Sequence, residues 1–191
     1  MKKVHNGRKF PLIPALLLII VIVFFHPYFF RGQVPFPANL LVSSYSPWQY
    51  VHWPGYEHGA PNKAIGFDNL RQAYPNKLFF KGELQSGQLP LWNPYILSGT
   101  PFLAVFDPAV FYPLSWLYLI MPAVDAWSIM VIIQPILVFI FMYLLIRSLK
   151  LGVAAGIFGA FVFAFSGWMM AYWEEVLIVV HSFLWLPLSL Y

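Results

Sequence analysis

The chain has 191 residues, of which 60% are hydrophobic and only 9% charged, and its net charge is +4. Soluble domains carry roughly 25% charged residues, so this composition excludes an ordinary soluble domain and predicts an integral membrane protein. Without a cysteine, disulfides, thiol catalysis and thiolate metal sites are excluded as well. The basic residues segregate by predicted side of a membrane rather than forming a cluster, which argues against a nucleic-acid partner.

Residues 1–9 form a basic, acid-free start with Lys2, Lys3, Arg8 and Lys9. Residues 10–30 follow as a mostly apolar run long enough to cross a hydrocarbon core of about 30 Å as a first transmembrane helix. A cleaved signal peptide is the rival reading, but bulky FFHPYFFRGQVPFP stands where a cleavage site needs small residues. His26-Pro27 is expected to fray or kink the outer end of this helix.

Residues 31–125 form a large first external loop carrying surface helices. Its first part, to residue 66, is rich in Pro, Gly, Ser, Tyr and Trp and reads as irregular. Over 67–82 the apolar residues Leu70, Ala73, Tyr74 and Leu78 fall at helical spacing, which predicts an amphipathic helix lying on the membrane. Pro75 is expected to bend it and Gly82 to stop it. LPLWNPYILSGTP (89–101) is a turn-rich loop. Asp107-Pro108 looks like an N-cap followed by a first-turn proline, opening a second surface helix over 108–122.

Residues 126–146 are predicted as a second spanning helix, with Gln134-Pro135 as a possible kink site, and 147–151 as a cytoplasmic turn. Residues 152–172 form a third, with Gly152, Ala154, Ala155, Gly156, Gly159 and Ala160 suited to close helix packing. Residues 173–175 are an external turn. Residues 176–191 begin a fourth helix, and the expectation is that the chain is the N-terminal part of a larger polytopic protein. On this topology the inner segments hold six of the 11 basic residues and none of the 7 acidic ones. The asymmetry predicts a multi-pass plasma-membrane protein with a cytoplasmic N-terminus and every carboxylate outside.

Chemistry is therefore sought among the external residues. Asp68 can serve as a general base that takes a proton from an acceptor hydroxyl as it attacks a sugar carbon. It can equally cap its helix or pair with Arg71. Arg71, Lys77 and Lys81 can bind the phosphate of a lipid-linked donor, or be drawn to anionic headgroups. Glu174 and Glu175 can hold a divalent metal or polarise an acceptor; the plain alternative is a solvated turn. His181 can join them, although two acids and a distant histidine are a weak metal pattern. No Gly-rich phosphate loop, HExxH or G-x-S-x-G is present.

The run GFDNLRQAYP…KGELQSGQLPLWNPYILSGTPFLA…FYPL, with the later GAFVFAFSGWMM…WLPLSLY, resembles the YfhO-like bacterial membrane proteins of the GT-C glycosyltransferase superfamily over roughly residues 65–191. The resemblance implies an all-α, polytopic enzyme that moves a sugar from a polyprenyl-phosphate donor to an extracytoplasmic acceptor, a cell-envelope glycan or protein. It implies that Asp68, in the first external loop, is the base. Arg71, Gln72, Lys77, Asn93 and Tyr95 are the expected substrate contacts. Glu174 and Glu175 would form a second acidic site, with a divalent metal as the one candidate cofactor. Asp107 stands where relatives often carry Gln and is a departure. The alternatives are a transporter or flippase for lipid-linked saccharides, for which the spans offer only Gln134, Ser166 and His181 as polar lining, or a non-enzymatic scaffold.

Overall fold

The computed structural model describes residues 12–57, 67–105, 109–173 and 177–191. They are mostly helical, with one short antiparallel strand pair, and the chain divides into two compact units. Two helices are long and apolar enough to cross a membrane. Both are runs rich in Ile, Val and Phe, whose helical backbone satisfies its own hydrogen bonds.

The first unit comprises Met1–Val34, Ile132–Met170 and His181–Tyr191. Helix α1 (Leu12–Phe24) is followed by α2 (His26–Arg31). The single first helix expected over 10–30 is thus interrupted at Phe25. Pro27 stands in the first turn of α2, where its missing N–H costs no hydrogen bond, and α2 ends on Gly32 in the left-handed conformation. Leu17, Val21 and Phe25, four apart, form the buried stripe of this segment. Two open apolar grooves of about 550 and 460 Å³ flank it, sharing Leu17 and Phe139.

Helix α6 (Ala123–Ser148) has 26 residues, about 39 Å at 1.5 Å per residue. It runs beyond the expected 126–146 at both ends and carries Pro135 inside it. Helices α7 (Val153–Ala164) and α8 (Gly167–Tyr172) follow, separated at Phe165–Ser166. Together they make a 20-residue apolar stretch, Val153–Tyr172, of whose most apolar window only 22% is buried. The corresponding window of α6 is 44% buried.

The small residues of α7 do what their size allows. Gly156, Ala160 and Ala164 lie four apart on its buried face. A Cβ at Gly156 would come within 2.9 Å of the Tyr143 ring, and one at Gly159 would strike Ile146 Cδ1. Gly152, Ala154 and Ala155 are exposed and take no part. The start of a fourth helix is two short ones, α9 (Leu177–Phe183) and α10 (Leu186–Ser189), with Pro187 in the first turn of the latter.

The second unit comprises Pro35–Val131 and Ala171–Val180. After α3 (Leu40–Ser44) and a single 3₁₀ turn at Trp48–Tyr50, a wide π turn at Asn69–Ala73 runs straight into α4 (Tyr74–Gln85). Tyr74 N–H bonds back five residues to the Asn69 carbonyl. The wide turn lies where a regular helix would press the Pro75 ring against the Arg71 carbonyl. Pro75 therefore sits in the first turn of α4 and does not break it, and the helix continues past Gly82 to Gln85.

The wide turn also displaces the apolar stripe expected at Leu70, Ala73, Tyr74 and Leu78. Counting 3.6 residues per turn across it fails, and Leu78 is 44% exposed, while Asn69, Asn76, Lys77 and Phe80 are buried. Phe80 packs with Phe102 and Val110, flanked by Phe79, Leu84 and Leu119. A second aromatic group joins Phe36, Tyr74 and Trp127, with ring centroids 4.8–6.1 Å apart. The predicted surface helix over 108–122 is instead a 3₁₀ turn at Pro113–Trp116 and a short α5 (Leu117–Ile120). Pro113 cannot donate to a longer helix through this point. Asp107 and the acidic pair Glu174 and Glu175 lie outside the described residues.

Gly156→Val should overpack the α6–α7 seam and destabilise the protein by about 1–3 kcal/mol. Gly82→Ala, at a helical position with open space around its Cα, should stabilise by about 0.5–1 kcal/mol. Thermal unfolding in detergent reads both signs.

Candidate functional site

The wide turn at the head of α4 presents Asp68, Arg71 and Gln72, spaced i, i+3 and i+4, all exposed. Because they lie at the wide turn, the 3.6-residue count does not place them on one face. Asp68 precedes the turn with helical backbone angles, and its side chain makes no capping hydrogen bond. Arg71 is turned toward Tyr45: its Nε donates to the Tyr45 hydroxyl at 2.6 Å. Its guanidinium lies 5.1 Å from the Phe67 ring centroid and 5.8 Å from that of Tyr45. Among the described residues no ion pair joins Asp68 to Arg71. Both ordinary roles weighed for Asp68, cap and ion-pair partner, are therefore missing from its described surroundings.

Arg71 is held through Nε and by two aromatic faces, so its terminal nitrogens stay at the surface. Stacked, oriented guanidinium groups suit bidentate recognition of phosphate or carboxylate. Gln72 adds an amide beside it. The head of α4 thus exposes a carboxylate, a cation held by aromatic rings and a neutral amide.

Lys77 is placed elsewhere. It is buried, donates to Ser115 Oγ at 2.8 Å and lies 5.6 Å from the centre of the Tyr118 ring. Lys81, one turn on, donates to the Met121 carbonyl at 2.9 Å. The two lysines thus hold α4 to the segment that precedes α6. Buried ammonium groups need such oxygen partners because desolvation alone would cost several kcal/mol. Their role in fastening α4 was invisible in the sequence, where a lysine reads as a surface group.

Asn93 and Tyr95 belong to a hairpin, β1 (Trp92–Asn93) paired with β2 (Thr100–Pro101) in the register Trp92 to Pro101 and Asn93 to Thr100. Asn93 is buried and its Oδ1 accepts the Tyr95 N–H at 3.0 Å, an Asx turn that starts the loop. Tyr95 is 84% exposed, its ring edge-on to Phe79 at 6.1 Å. No contact joins Asn93 or Tyr95 to the Asp68 patch among the described residues.

His181 is buried in the first unit's helical segments. Among the described residues no group of three or more histidines and carboxylates is close enough to hold a metal.

The Tyr118 phenol is fully buried, and its hydroxyl has no hydrogen-bond partner among the described residues. Burial, with a smaller contribution from Tyr74, raises its pKa well above the ordinary range. Comparison of the chain with family models, curated proteins and solved structures returns no match.

Two outcomes follow from the interior of this unit. Ser115→Ala removes the acceptor of a buried cation and should cost about 1.5–3 kcal/mol, read by chemical denaturation. The folded protein keeps the Tyr118 proton that the unfolded chain releases. The associated stability is therefore intact below the ordinary tyrosine value of 10.0 and drains away as pH rises above it. Tyr118→Phe should flatten that alkaline decline, measured as the unfolding midpoint against pH, and should not lower stability at neutral pH.

Proposed function

We propose that the chain belongs to a polytopic plasma-membrane protein whose second unit lies on the extracytoplasmic side, where it transfers a sugar from a polyprenyl-phosphate donor. Asp68 acts as the general base, taking the proton of an acceptor hydroxyl as its oxygen attacks the anomeric carbon and the lipid phosphate departs. Arg71, aligned by Tyr45, binds the donor phosphate, and Gln72 contacts the sugar or acceptor.

The observation that carries this reading is the state of Asp68: exposed, uncapped and unpaired among the described residues, three residues along the chain from a guanidinium oriented by other groups. Two further features support it. The acidic residues gather on one side of the topology predicted from charge, and two helices have spanning length. The sequence resemblance to GT-C enzymes supplies the reaction class.

Sugar transfer from a radiolabelled polyprenyl-phosphate donor, measured in membranes containing the full chain, tests this. Asp68→Asn should reduce transfer at least 100-fold, the usual scale of a lost general base, with unchanged membrane insertion. Tyr45→Phe should raise the KM for donor more than it lowers kcat. Full activity in Asp68→Asn rejects the assignment.

A further inference from the structure

The β1–β2 hairpin carries an apolar surface that the proposed chemistry does not use. Its tip exposes Trp92, Tyr95 and Leu97, the last at 88%. The tip is rigid. Leu97 and Ser98 have φ of 50° and 64°, a left-handed conformation that costs such residues free energy. Gly99, at φ 119°, sits so close to the Trp92 indole that a Cβ there would come within 2.5 Å of it. The backbone is thus bent to hold two large apolar side chains and a tyrosine outward.

From Leu84 to Phe106 the sequence contains no Asp, Glu, Lys or Arg. A surface made for a soluble protein partner usually has a charged or polar rim. An uncharged tip combining Trp, Tyr and Leu matches the interfacial zone of a bilayer, where amphipathic rings and apolar side chains lodge at headgroup depth.

The attachment of the hairpin points the same way. Phe102, directly after β2, is packed with Phe80 and Val110 and flanked by Leu119 of α5. Lys81 fixes α4 to Met121, two residues before α6 begins. The hairpin is therefore built onto the point from which a helix of spanning length starts. The exposed apolar residues continue along the chain through Phe111, Trp116 and Ile120 to that helix.

We infer that the Trp92–Leu97 tip is a lipid-interface anchor that inserts its side chains into the outer leaflet and keeps the second unit seated on the bilayer surface. This rests on the proposed reading that α6 spans the membrane.

The chain has no cysteine, so a single introduced one is a unique label site. Leu97→Cys, Tyr95→Cys and, as a control on α6, Ile140→Cys would each carry an environment-sensitive NBD dye. The full chain is reconstituted in phosphatidylcholine vesicles containing nitroxide-labelled lipid. The expected result is quenching at 97 and 95, stronger with nitroxide near the headgroup than deep in the acyl chain, and the reverse depth preference at 140. Quenching at 140 with none at 97 and 95 overturns the anchor, leaves the spanning helix intact and assigns the patch to a protein partner. No quenching at any site overturns both readings. Quenching at 97 without quenching at 140 upholds the lipid contact and removes the spanning helix.

Discussion

The second unit depends on how α4 is fastened. Lys77 and Lys81, one helical turn apart, reach Ser115 Oγ and the Met121 carbonyl, while Phe80 between them fills the apolar cluster with Phe102 and Val110. One face of the helix is thereby consumed by the interior. The Asp68, Arg71 and Gln72 side chains at its head are consequently left to solvent, and their presentation is a result of the packing behind them. A buried lysine is costly unless its donors are met, so these contacts specify one docking of α4 and penalise a rotated one.

The wide turn at Asn69–Ala73 is the second constraint. A proline in a regular helix loses one hydrogen bond and collides with the carbonyl four residues back. Closing the preceding turn over five residues avoids that collision and keeps the segment helical from Phe67 to Gln85. It also rotates the head of the helix relative to its body. Arg71 then meets Tyr45 and Phe67, which hold the guanidinium with no counter-charge among the described residues. Cation–π contact at a partly exposed site is worth about 0.5–1 kcal/mol, enough to bias orientation while leaving the cation open to a ligand.

The first unit is packed by different means. Its helices are held where side chains are small enough for backbones to approach, as at Gly156 and Gly159 against Tyr143 and Ile146. Elsewhere they expose Leu, Ile, Val and Phe broadly. Such a surface is a liability in water and is neutral between lipid tails, which is the setting the proposed membrane reading supplies.

Composition and hydropathy were sufficient to define the helical class, the two long apolar helices and the small-residue seam, because these depend on the chain's transfer from water and on side-chain volume, both local properties. The break near His26-Pro27 was legible for the same reason: proline restricts its own backbone. The faces of α4 were not. Lys77 and Asn76 read as polar and Leu78 as apolar, yet the first two are buried and the last is largely exposed. That reversal needed an oxygen contributed from Ser115, 38 positions along the chain, and a wide turn that no count of 3.6 anticipates. Likewise Tyr95 was visible as an aromatic in a turn-rich loop, but its outward placement came from a strand pairing and from the close fit of Trp92 on Gly99. Sequence alone determined the helical class and the long apolar runs, because these depend on local side-chain chemistry; the tertiary structure decided which polar groups are buried and which are offered, because a buried charge must find its partner at a distance along the chain.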